Sequence, residues 1–247
     1  MKSKNFQELI RLELGQYLSL PVLIFLISTA IVAVLAQPVN SLKPEFNYTN
    51  LYHGSGTIFL FLTFSVGAFL SRSFAGSLGK GEIKVLLSYP VRRWHLFLSK
   101  FLTMFISVFI IYGAAYSIHL YLYSLSIFEP MFYLSLFAFL LQIMLASAVS
   151  VAIAMVVKNE VMSMLAAVLI LLGIDNIVGN QSLLSTQGRF TDLFGYVGQQ
   201  THGVPPFGHN IVISFNDFFM AMAIPLAIFI ILFSISFVFF TRIMEVD

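Results

Sequence analysis

Three stretches of this chain carry no charged residue over a length that exceeds the thickness of a bilayer: Leu14 to Leu42, Phe101 to Phe128 and Pro130 to Val157. About 20 apolar residues carry an α-helix across the hydrocarbon core. Inside that core every backbone N–H and C=O has to be bonded within the protein, which leaves only helices or a closed barrel. Barrel strands alternate polar and apolar residues over short segments, whereas these runs are apolar on every face. The composition agrees, with 59% hydrophobic and 10% charged residues and a mean hydropathy of +0.92; a soluble domain has about a quarter of its residues charged. The expected fold is therefore all-α, a polytopic integral membrane protein whose residues 1–247 form a single domain. Cysteine is absent, so disulfides, thiol nucleophiles and zinc-thiolate sites are excluded.

Six transmembrane helices are read from the hydropathy pattern, at about 18–36, 51–71, 102–125, 131–157, 161–178 and 218–240, the last interrupted by Pro225. The first is expected to be a span rather than a secretory leader, because its core is longer than the 7–15 residues of such a segment and an amphipathic stretch precedes it. Alternating the sides puts eleven of the 13 Lys and Arg residues on one face and leaves only Lys43 and Arg189 on the other. The positive-inside rule makes the eleven-charge face cytoplasmic, with both termini inside. The sequons at Asn47 and Asn180 then fall outside.

Two connections are long: a basic inner loop, Arg72 to Lys100, and an outer segment at about 180–217. In the inner loop a glycine start at Gly79 and Gly81, an apolar set Ile83, Leu86 and Leu87, and a stop at Pro90 predict a short helix outside the bilayer. Its apolar stripe either rests on lipid or docks a cytosolic partner. At the N-terminus, about 4–17, Phe6, Leu9, Ile10, Leu14 and Tyr17 share a stripe opposite Gln7, Glu8 and Arg11, the pattern of an interfacial helix. Glu13 breaks that stripe and is expected to pair with Arg72, Arg92 or Arg93 of the inner loop, the alternative being a surface carboxylate without a fixed partner.

These residues resemble a known family. Gly81, then Leu86-Leu87-Ser88-Tyr89-Pro90-Val91 and Arg92, lying between spans two and three, is similar to the coupling-helix motif of type-2 ABC exporter permeases. Glu13, Leu14, Leu18, Ser19 and Pro21 look like the amphipathic elbow helix of that family. One departure is that acidic residues often precede the family's glycine, where this chain has Ser77, Leu78, Gly79 and Lys80. The resemblance implies a permease subunit of the cell membrane that forms the translocation path of an exporter with a second copy or a related chain. It implies that Gly81, Glu82, Leu86, Leu87, Pro90 and Arg92 couple to a cytosolic ATP-binding subunit, which would hold the ATP and Mg. It also implies short re-entrant or surface helices in the outer segment, over the extracellular mouth.

No chemistry is expected of the chain itself. Gly76-Ser77-Leu78-Gly79-Lys80-Gly81 lacks the spacing and hydroxyl of a phosphate-binding loop, and Gly54-Ser55-Gly56 is no nucleophile elbow. No cofactor is expected in this chain, and no metal: His202, His209 and Asp192 match no ligand spacing. The candidate polar residues within spans are His119, Gln142 and Asp175, the last beside Asn176 near an aqueous end where solvation or helix capping also accounts for it. Small residues Ala146, Ser150 and Ala154, and Gly113 and Ser117, permit close helix contact within the chain or across a dimer. The alternative is a stand-alone carrier or channel not driven by ATP.

Overall fold

The computed structural model describes residues 2–17, 19–35, 48–88, 91–122, 126–177, 186–202 and 213–243. Its elements are helical: α1 (Lys2–Tyr17), α2 (Leu20–Leu35), α3 (Tyr48–Gly79), α4 (Glu82–Ser88), α5 (Arg93–Leu122), α6 (Pro130–Val157), α7 (Glu160–Ile177), α8 (Thr186–His202) and α9 (Phe215–Val238), which runs into a π-helical turn, Phe239–Ile243. Among the described residues four helical stretches are long and apolar enough to cross a bilayer: Ile58–Gly79, Arg93–Leu122, Pro130–Val157 and Phe215–Arg242. The pair α1 and α2, bent by 71°, makes a fifth if counted as one span, and Glu160–Gly173 is a shorter apolar helix.

The ends of these helices follow from local chemistry. Pro130 opens α6, where its missing N–H costs nothing. Lys158 closes it in the left-handed region, φ 51°, and donates its N–H to the Ala154 carbonyl. Asn159 Oδ1 then accepts from Met162 N at 3.0 Å and caps α7, so the α6–α7 reversal is completed within two residues. Ser214 and Asp217 form a capping box at the start of α9.

α6 is apolar all round and lies at the centre, packed against α3, α7 and α9. The small-residue stripe works within the chain: Ala146, Ser150 and Ala154 are buried, and Ser71 Oγ of α3 donates to the Ser150 carbonyl at 3.4 Å. Gly67 admits α7 equally closely, since a Cβ there would lie 3.2 Å from a Val168 methyl. At one end of the bundle Phe97 of α5 packs on Phe74 of α3 and on Phe233, Phe237 and Phe240, with centroids 5.3 to 5.5 Å away, closing three elements around one ring.

Candidate functional site

The site assembles at that same end, where α3 stops. Gly81 has φ +71°, a conformation that costs an L-residue about 1–2 kcal/mol. Its N–H bonds to the Leu78 carbonyl at 3.3 Å, and its own carbonyl accepts from Val85 at 3.4 Å, so one glycine ends α3 and starts α4. Ser77 Oγ donates to Glu82 Oε2 at 3.1 Å and braces the turn. The short helix expected in the inner loop is therefore present as α4. Its Ile83 is 1% exposed and Leu86 packs on the core, so these two face the chain's own bundle, while Val85 stands 63% exposed and Glu82 and Ser88 are exposed. Pro90 and the side chains of Lys84 and Leu87 lie outside the described residues. Arg92 is exposed and Arg93 half-buried at the start of α5.

α1 packs along α5, with the Phe6 ring 5.4 Å from His95 and 6.5 Å from Trp94. Glu13 is fully buried, but its partner differs from the expectation. It pairs with Lys100 Nζ at 2.9 Å, and Lys100 is itself 2% exposed. Arg72 bonds elsewhere, to Glu160 at 2.7 Å, and Lys80 reaches the other oxygen of the same carboxylate at 3.0 Å. The physical reason is register: α5 begins at Arg93, so Lys100 falls two turns inside a helix that α1 covers. Arg72 faces the α6–α7 turn instead. Arg72, Lys80, Lys100, Glu82 and Glu160 border a cavity of about 230 Å³. Charges of both signs thus meet where α2, α3, α4, α5 and α7 converge.

A second polar centre lies inside the bundle. Gln142, 3% exposed, donates through Nε2 to Thr63 Oγ1 of α3 at 3.0 Å and accepts from Arg189 of α8. Gln142 sits about 18 Å along α6 from Pro130 at the usual rise per residue. Arg189, expected in an aqueous outer loop, is instead 4% exposed within the helical bundle. The polar helix α8 folds back onto α3 and α6, and its arginine donates the hydrogen bond that the buried amide oxygen requires. Asp192, one turn further along α8, is half-buried; burial, and secondarily the charge of Asp217, push its pKa up to about 6.

A third centre was not anticipated. Tyr112 Oη of α5 donates to Thr29 Oγ1 of α2 at 2.8 Å and lies 2.6 Å from Ser65 Oγ of α3. A buried tyrosine needs such a partner, so Tyr112 within an apolar run was the available signal. His119 is buried and stacks on Tyr116 at 5.9 Å. The side chains of Asp175 and His202, and all of His209, lie outside the described residues. Among the described residues no three His, Cys, Asp or Glu side chains come together as metal ligands.

This arrangement defines a class: a multi-pass helical membrane protein with a charged, helix-bearing platform at one end. The model of the ABC-2 family transporter proteins matches residues 15–174, and the chain belongs to that family. No curated protein matches the chain.

Proposed function

We propose that this chain is the membrane-spanning permease of an ATP-driven exporter, two copies or two related chains forming the path and cytosolic ATP-binding subunits docking at α4. In this reading α2 and α7 cross the bilayer in their own right, giving six spans with both termini in the cytoplasm. α1 is the elbow helix and α4 the coupling helix. The observation that carries the reading is the α3–Gly81–α4 joint: a short helix fixed at the end of a long one, its inner face held by Ile83 and Leu86 and its outer face open at Val85. A lever needs this rigidity, because a floppy loop would absorb the motion of the partner. Family membership supports it, since ABC-2 proteins in general work with an ATP-binding subunit.

The test is gentle detergent extraction of the tagged chain from its native membrane, followed by mass spectrometry of what remains bound and by an ATPase assay. The reading expects a cytosolic ATP-binding protein with the wild type and its loss with Val85→Glu, which changes an outward side chain and leaves the fold intact. If the purified chain alone moves solute across vesicles and no such protein is recovered, the stand-alone carrier replaces this reading.

A further inference from the structure

The α6–α7 turn is held against the end of α3 by an arrangement that packing alone does not require. Two glycines one turn apart, Gly76 and Gly79, leave a slot on α3: a Cβ at Gly79 would lie 2.7 Å from the Lys158 carbonyl oxygen, and one at Gly76 3.2 Å from Glu160 Oε2. Into that slot the turn inserts its left-handed residue Lys158 and the first residue of α7, Glu160. Arg72 and Lys80 then grip the two carboxylate oxygens separately, at 2.7 and 3.0 Å. Lys80 belongs to neither helix; it is one of the two residues between α3 and α4. The carboxylate is thereby tied to the α3–α4 joint as well as to the shaft of α3.

We propose that Glu160 is a positioning residue that makes the α6–α7 turn move as one body with α4, so that a displacement imposed on α4 reaches α6 and α7 directly. This rests on the reading above, in which a cytosolic ATP-binding subunit displaces α4. Both cations are more than half exposed, 60% for Arg72 and 61% for Lys80, so each pair adds little to stability. Registration is a different property. Two cations converging on one carboxylate fix its position in two directions, and the glycine slot excludes the alternative of the turn sliding along α3.

The chain has no cysteine, so paired labels can be introduced without background. The experiment uses the complex extracted with its ATP-binding partner, carrying spin labels at Ser88→Cys, the last residue of α4, and Met162→Cys, both exposed positions on the two bodies. A second labelled pair, Ser88→Cys with Phe128→Cys at the opposite end of the bundle, reports whether ATP moves α4 at all. Without a change at Glu160, ATP is expected to shift the Ser88 to Phe128 distance and leave the Ser88 to Met162 distance unchanged. With Glu160→Gln the Ser88 to Met162 distribution should broaden or shift on adding ATP, and Glu160→Asp should restore the narrow one. A Ser88 to Met162 distance that stays fixed in Glu160→Gln while α4 still moves overturns this proposal and leaves the exporter reading standing. No partner recovered with the unlabelled wild type, or no ATP-dependent movement of α4 in a labelled complex that keeps its partner, overturns the exporter reading itself, and this inference with it.

Discussion

Lys100→Met should destabilise the protein severely, and Glu13→Leu added to it should restore most of the loss. Glu13 is 0% and Lys100 2% exposed, and the pair is made at 2.9 Å between α1 and α5. Desolvating two charges roughly cancels their attraction, so replacing both with apolar residues is near neutral, while removing one leaves a buried charge and costs about 3–5 kcal/mol. For a chain of this length about 2–4 °C of midpoint accompanies each kcal/mol, so the single variant should melt about 6–20 °C lower. The assay is size-exclusion recovery of the detergent-solubilised chain after heating, for the wild type, both single variants and the double. A double variant as unstable as either single would refute the reasoning, because the loss would then lie in packing and not in an orphaned charge. Singles that melt with the wild type would refute it too, by showing that water reaches the pair.

Three further outcomes follow from the geometry. Gln142→Leu and Arg189→Met should each cost about 1–3 kcal/mol by leaving a buried polar partner unsatisfied, and the double should cost less than their sum in the same melting assay, since both break one interaction. Gly81→Ala should cost about 1–2 kcal/mol of local conformational energy with no clash, nothing lying within 4 Å of the added methyl; co-purification of the ATP-binding partner should fall while insertion stays normal. Asp192 keeps its proton up to about pH 6, against 3.8 for the ordinary side chain. Its raised pKa therefore favours the folded α8 on the acid side, and that contribution is lost as pH rises through about 6. Hydrogen exchange across α8, corrected for intrinsic rates, should speed up over that interval in the wild type and stay flat in Asp192→Asn.

Where an apolar run ends at an unambiguous signal, the sequence located the helix well. Span four, expected at about 131–157, is α6, Pro130–Val157, because Pro130 and Lys158 bound it. Span two, expected to end at about 71, is a helix that continues to Gly79. Hydropathy marks where Arg72 leaves the apolar run, but the backbone stays helical until the glycines at 79 and 81 break it. The same effect hid the first turns of α5, where Arg93 to Lys100 read as loop. The resemblance implied helices in the outer segment, and α8 is one; its burial was not legible, because a polar helix with an arginine looks like an aqueous element until Gln142 is seen to need it. Ion-pair partners were the least legible. Glu13 required a cation, and the inner loop offered several; only the packing of α1 on α5 selects Lys100. The apolar stripe of α4 was visible too, but not that Ile83 and Leu86 would turn it inward and leave Val85 outside.

What touches Val85 in the membrane separates a docking surface from a face resting on lipid. A photoreactive residue placed there in cells, with a second at Phe128 as the far-end control, gives the answer on illumination. A crosslinked species containing an ATP-binding protein is expected from Val85, and no cytosolic product from Phe128. Crosslinks from Val85 only to lipid, or a cytosolic product from Phe128 in place of Val85, would contradict docking at α4.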